Sequence, residues 1–243
     1  LAFLERNDLD ELARSGVATP DHVIRIKAHP MLLSRDDIEI DGDVDGLAKR
    51  IRDFSQTYSA YFDEFSKMAE QPKTMLSPLP KVVWAPGIGL IGVGASLKEA
   101  RTVTDLAEQN IRVMADGVAN GGFMPVQAQD LFDMEYWSLE QAKIGKSRPP
   151  EFQGRVVMVT GGGGAIGEAI AHAFRRQGAE IVIVDRDAEA LSQSAGRIGG
   201  GVVAIEADLT QEGVAEQVMQ NAVDAFGGLD ILVSNAGYAP QGA

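Results

Sequence analysis

The chain contains no cysteine, which excludes a disulfide framework, a thiolate metal site and a cysteine nucleophile together, and fits a reducing, cytoplasmic setting. Positive charge is also scarce: 22 Lys and Arg stand against 35 Asp and Glu, a net charge of -13. Nucleic acids and anionic membranes need clustered cations, so neither is an expected partner, and small molecules are. No apolar run approaches the roughly 18 residues of a membrane span, and no signal peptide or lipidation motif is present. The three histidines, His22, His29 and His172, are too scattered to spell a zinc site, which needs three protein ligands in compatible geometry. What is there is globular: 243 residues, 45% hydrophobic and 23% charged, enough for one large domain or two small ones. Because it opens on Leu1 inside an acidic, helix-like stretch with Leu4, Leu9 and Leu12, the N-terminus is expected to be a cut one.

The sharpest compositional break is Gly145-Lys146-Ser147-Arg148-Pro149-Pro150-Glu151, where apolar periodicity stops and a double proline favours extended backbone. It divides the chain into 1–144, a linker at 145–153, and 154–243. Before it, Leu47, Ile51, Phe54, Tyr58, Tyr61, Phe65 and Met68 recur at spacings of three and four, predicting a long helix over 45–69 that buries one face. Val82-Val83-Trp84 and Leu90-Ile91-Gly92-Val93 predict two strands or one bent strand. Ser96-Leu97-Lys98-Glu99 has the form of a capping box, followed by an apolar stripe of Ala100, Val103, Ala107, Ile111 and Met114. A further helix is expected over 127–143. Thr19 to Lys27 is a polar cluster leading into a strand-like run; its plain reading is a turn capped by Asp21 with Arg25 and Lys27 in solvent.

After the break, strand and helix alternate. Strands are expected at 155–160, 180–185, 202–206 and 230–234, and helices at 168–177, 188–197 and 214–226. The continuous β-branched runs suit strands covered on both faces, and the alternation means right-handed βαβ units around a parallel sheet. Between the first strand and helix lies Thr160-Gly161-Gly162-Gly163-Gly164-Ala165-Ile166-Gly167. Glycine there frees the turn and lets a dinucleotide diphosphate approach backbone amides without a Cβ in the way. The helix beginning near Ile166 would aim unpaired N–H groups and its dipole at the anion. A flexible loop would need no such flanking elements. Asp185 closes the second strand, where a carboxylate can accept both hydroxyls of an adenosine ribose and repel a 2′-phosphate, favouring NAD. Its neighbour Arg186 could attract that phosphate, so NADP stays open.

These residues resemble the short-chain dehydrogenases/reductases over 154–237. The resemblance is carried by Thr160-Gly161-xxx-Ala165-x-Gly167, Asp185, Asp208-Leu209 after the third strand and Asn235-Ala236-Gly237 after the fourth. It implies a doubly wound Rossmann sheet whose cofactor contacts come from Thr160, Gly161, Gly163, Gly164, Ala165, Ile166, Gly167, Asp185 and Arg186. Asp208 and Leu209 would flank the adenine, and Asn235, Ala236 and Gly237 would steady the sheet beside the cofactor. Ala165 stands where the family more often has glycine. The family's acid/base is a tyrosine paired with a lysine four residues later. From 154 to 243 there is no lysine, and the one tyrosine, Tyr238, has Gly242 at that spacing. No catalytic residue is therefore expected within the chain, which should end before the catalytic segment and be inactive alone.

The order of elements before the break, with Trp84-Ala85-Pro86-Gly87-Ile88-Gly89-Leu90 and the stretch Glu135 to Lys143, resembles the C-terminal part of an α/β class II aldolase/adducin-like domain. Fused in this order, the two parts resemble the bifunctional rhamnulose-1-phosphate aldolase/lactaldehyde dehydrogenase group. That resemblance implies aldol cleavage of a deoxyketose 1-phosphate coupled to NAD-dependent oxidation of the hydroxyaldehyde product. Its partners would be a sugar phosphate or hydroxyaldehyde and, in the intact protein, further copies of itself. It also implies zinc on histidines, with a paired His-x-His expected upstream of Leu1 and His22 as the candidate remaining ligand, since Ile88 stands where simpler members carry one. Two other readings stay open: a non-catalytic nucleotide-binding or scaffold protein, and a plain NAD(P)-dependent reductase with an unrelated N-terminal module.

Overall fold

The computed structural model describes residues 2–34, 37, 44–141 and 149–237. The chain divides into two compact units, one made of Leu1–Gly94 with Lys98–Ser147, the other of Ala95–Leu97 with Arg148–Ala243. Up to residue 141 the elements are α1 (Leu9–Ala13), α2 (Pro20–Ile26), β1 (Met31–Leu32), α3 (Val44–Phe65), β2 (Val82–Ala85), β3 (Gly89–Gly92), α4 (Leu97–Ala119), α5 (Ala128–Glu135) and α6 (Ser138–Gln141).

In the first unit β2 is central, parallel to β1 and antiparallel to β3. Its four residues are all buried because they alternate between two cores. Val82 and Trp84 join Val103, Ala107, Ile111 and Met114, the stripe expected of α4, while Val83 and Ala85 join Met31 and Leu33 under Ile51 and Phe54 of α3. Glu99, in the first turn of α4, takes the Lys81 ammonium at 2.6 Å. The long helix α3 forms, but its apolar face is covered unevenly: Tyr58 is buried while Leu47 is 41% exposed.

Three expectations need correction here. Thr19 to Lys27 is neither strand nor turn: Thr19 at the N-cap, Pro20 in the first turn and Asp21 behind it form a helix start, and α2 follows. Burying Val23 and Ile26 carries Lys27 inward, so that it is 6% exposed instead of solvated. The single helix expected over 127–143 breaks at Tyr136 and Trp137, since Tyr136, wholly buried beside Phe132, ends α5 before α6 begins; Ala142 and Lys143 lie outside the described residues, as does 145–148 of the expected linker.

The second unit runs β4 (Val156–Thr160), α7 (Ala165–Arg176), β5 (Glu180–Asp185), α8 (Ala188–Ile198), β6 (Val202–Glu206), α9 (Val214–Phe226) and β7 (Ile231–Val233). The sheet order is β6-β5-β4-β7, parallel throughout. Alternate residues of β4 and β5 face opposite cores. Val157, Val159, Ile181 and Ile183 pack with Ala171 of α7 and Leu191 of α8. Val156, Met158, Val182 and Val184 pack with Val218 and Ala222 of α9. Helices thus lie on both faces, the doubly wound arrangement. Coverage on both faces holds for β4 and β5 only: β6 and β7, at the sheet edges, are half exposed, with Leu232 at 55%. Helix α7 starts at Ala165, beside the start near Ile166 expected from the loop and three residues before the apolar pattern of 168–177, because the glycine loop feeds directly into it.

Candidate functional site

The chain steps from β4 to β5 to β6 in one direction and then returns to place β7 on the other side of β4. The crevice at the carboxyl ends of β4 and β7 is therefore the topological switch point, where open α/β sheets bind ligands. The glycine loop leaves β4 there. Gly161 has φ +67°, a left-handed conformation, and a Cβ on it would lie 3.0 Å from the Asn235 side-chain nitrogen. A Cβ on Gly167 would overlap the Gly161 carbonyl oxygen, so α7 reaches the loop only because that position is glycine.

The amides of the loop are divided between structure and solvent. Gly162 N–H donates to the Val184 carbonyl at 3.0 Å, Gly164 N–H to the Gly161 carbonyl at 3.2 Å, and Gly163 N–H to Asp185 Oδ2 at 3.0 Å. The next three, on Ala165, Ile166 and Gly167, begin α7 and have no preceding turn to accept them. Gly164 occupies the N-cap and has no side chain to serve them either. These donors and the helix dipole suit a diphosphate. Beside them Ile166 stands 70% exposed.

Thr160 and Asn235 hold the two sides of the crevice together. The Thr160 hydroxyl accepts from the N–H groups of Asn235 and Ala236, each at 3.0 Å, and donates to the Val233 carbonyl at 3.4 Å. The Asn235 side chain donates to the Thr160 carbonyl at 2.9 Å and the Gly161 carbonyl at 3.3 Å. Thr160, expected as a cofactor contact, thus spends its hydroxyl on the frame. Sequence reasoning missed Ser194, which is fully buried and donates to the Gly162 carbonyl at 2.7 Å. Its signal was a polar residue on the buried stripe of Leu191 and Ile198.

Asp185 ends β5 with both oxygens engaged, Oδ2 by Gly163 N–H and Oδ1 by Asp187 N–H at 3.1 Å. Each oxygen keeps a lone pair for a further donor. Arg186 is exposed. Asp208 accepts from the Thr210 hydroxyl at 2.7 Å and N–H at 3.0 Å, and these bonds hold its carboxyl below the usual range. Leu209 packs partly against the Val218 and Ala222 core, whereas Ala236 and Gly237 are exposed. Tyr238 lies outside the described residues.

The profile of "Aldolase class II, second domain" matches residues 1–144. The chain belongs to the class II aldolase second-domain family. Its remaining part, residues 155–243, matches the short chain dehydrogenase profile, so a class II aldolase second domain is followed here by a short-chain dehydrogenase segment. The chain is 29% identical over 247 residues to the "Uncharacterized oxidoreductase YuxG" of Bacillus subtilis (strain 168), covering 98% of this chain and 35% of that protein. Over 89 residues it is 44% identical to the L-fucose dehydrogenase of Rattus norvegicus, covering 37% of this chain and 33% of that one. A solved 3-ketoacyl-(acyl-carrier-protein) reductase from Brucella melitensis, complexed with NADH, shares 39% identity over 37% of this chain and 38% of its own, with a TM-score of 0.34. This class II aldolase–dehydrogenase chain therefore spans about a third of the length of the curated relatives it matches.

In the aldolase part, His22 lies on α2, only 6% exposed, with Nδ1 bonded to the Thr19 hydroxyl at 2.6 Å and Nε2 buried without a hydrogen-bond partner, and burial pushes its imidazole pKa down. Among the described residues no group of three His, Cys, Asp or Glu side chains could hold a metal ion. One histidine without two further ligands beside it among the described residues does not make a zinc site. Among the same residues no helix is long and apolar enough to cross a membrane.

Proposed function

We propose that the second unit binds a nicotinamide dinucleotide, NAD in preference to NADP, and serves the oxidation of a hydroxyaldehyde in a sugar-degrading enzyme whose other half cleaves a deoxyketose 1-phosphate by retro-aldol chemistry. The observation that carries this reading is the free N-terminus of α7, opening beside Gly161 at the switch point with Asp185 across the loop. In this reading the amides of Ala165, Ile166 and Gly167 hold the diphosphate, and Asp185 accepts the ribose hydroxyls. Asp208 and Leu209 border the adenine side, and Ala236 and Gly237 border the nicotinamide side. The dinucleotide, when bound, supplies the hydride acceptor; the chain binds and orients it. The relationship to an L-fucose dehydrogenase supports a sugar-like substrate, and the joined aldolase domain supports the coupling.

Titration of the chain with NADH and NADPH by cofactor fluorescence tests the cofactor half. NADH should bind more tightly, and Asp185→Ala should weaken it and narrow the preference. Tighter NADPH in the unaltered protein would overturn the NAD assignment.

A further inference from the structure

The first unit holds a charged cluster that the dinucleotide reading does not use. Lys27 and Glu135 are 6% and 1% exposed, yet the ammonium nitrogen is 4.0 Å from Glu135 Oε1. The Tyr58 hydroxyl donates to the same oxygen at 2.7 Å and lies 2.6 Å from the Tyr136 hydroxyl. The ammonium sits 3.2 Å from the centroid of the Tyr58 ring. Lys27 is also the one non-glycine residue at positive φ among the described residues, at φ 64° and ψ 171°, a region that L residues rarely adopt. A backbone held there against its preference, with a buried cation at its end, needs a reason beyond packing.

Lys27 borders a cavity of about 520 Å³, the size that takes a small organic ligand. Tyr58, Tyr61, Thr57 and His29 share the wall with apolar Phe54 and Leu32, and the Asp10–Arg14 pair, largely exposed, also borders it. We propose that Lys27 and this cavity form a carbonyl-binding site in which the amine condenses reversibly with a small aldehyde or ketone. The neutral amine attacks the carbonyl carbon, and its proton passes to the oxygen to give a carbinolamine. Glu135, in its acid form, protonates the departing hydroxyl, so that water leaves and the C=N bond carries the positive charge as an iminium. Hydrolysis runs the same steps backwards, and no oxidant or reductant is required.

The electrostatics agree with the geometry. Burial lowers the Lys27 pKa to about 8, against the attraction of Glu135 and with a smaller push from Lys81. Burial raises that of Glu135, while Tyr58, Lys27 and Tyr61 hold it back. At pH 7 about one Lys27 in ten is then a neutral amine, against about one in three thousand for an ordinary lysine.

The test needs neither nucleotide nor dehydrogenase activity, so its outcome is separate from that of the NADH titration. The chain is incubated with glyceraldehyde, and separately with dihydroxyacetone, reduced with sodium borohydride at pH 7, and mapped by peptide mass spectrometry. Lys27 should carry the reduced adduct at least tenfold above the mean of Lys49, Lys67, Lys73 and Lys98, with labelling that climbs through about pH 8. In Lys27→Arg, and in Lys27→Gly, which suits the positive φ, that adduct should vanish while the circular dichroism spectrum is kept. Equal labelling of all lysines, or none at Lys27, in the unaltered protein would overturn the proposal whether or not the variants fold.

Discussion

At the scale of single residues, the glycines of the loop differ in what they are for. Gly167 is demanded by the protein itself, because its Cβ would overlap the Gly161 carbonyl. Gly164 is not: a Cβ there would meet nothing closer than the Gly161 oxygen at 3.5 Å, an ordinary contact. Gly167→Ala should therefore cost about 1–3 kcal/mol of stability, the scale of overpacking. Gly164→Ala should change stability by less than about 0.5 kcal/mol yet weaken NADH roughly tenfold, because it narrows the approach to the amides. Thermal unfolding and calorimetry on both variants separate the two roles, and equal losses of stability would contradict this division. Lys27 offers a second contrast. With its folded pKa near 8 below the ordinary 10.5, the unfolded chain holds a proton between those values that the native chain has released. The cost of the buried charge is thus fully present below pH 8, and stability gains from this group as pH rises from there toward 10.5. Denaturant melts at pH 7.5 and 9.5 should show that gain, and Lys27→Met should remove it.

At the scale of elements, the crevice depends on two strand ends being tied. Thr160, the last residue of β4, makes three hydrogen bonds to the chain leaving β7 through one hydroxyl. Thr160→Val keeps the shape and removes all three, leaving two N–H groups and a carbonyl without that partner. It should lower stability by about 1–3 kcal/mol and weaken NADH, while Thr160→Ser restores both. Urea midpoints shifted at constant slope would establish the loss, and a Val variant as stable as the parent would show that water replaces the hydroxyl. The order of strands and helices in this unit was legible because its repeated βαβ grammar is local, as Val156–Thr160 and Val214–Phe226 illustrate. Helix α2 was not. Val23, Ile24 and Ile26 suit a strand in isolation, and the Thr19-Pro20-Asp21 start decides for helix only once Val23 and Ile26 have a core to enter.

At the scale of the molecule, the two units offer binding chemistry of different kinds: backbone amides at a switch point in one, a buried amine beside a cavity in the other. Hydride transfer needs a positioned acid/base, which contributes roughly 10²- to 10⁴-fold. With no Tyr-xxx-Lys pair among these 243 residues, the purified chain should bind NADH yet show no dehydrogenase turnover with hydroxyaldehydes above background. Turnover at ordinary enzyme rates, followed as NADH absorbance, would mean that another group in the chain acts as the base.

By itself the sequence determined the parallel sheet, the glycine loop and the acidic residue at the end of β5, because each is written in a local pattern of residue types along the chain. Only the tertiary structure decided which groups are spent and which are free. Thr160 is consumed by Asn235 and Ala236, and Ser194 by Gly162, whereas the three α7 amides stay open. It also decided that Lys27, which looks solvated in a polar stretch, lies against Glu135 and Tyr58. The physical reason is the same in each case: a polar group's state is set by what desolvates it and what bonds it, and those partners come from far along the chain.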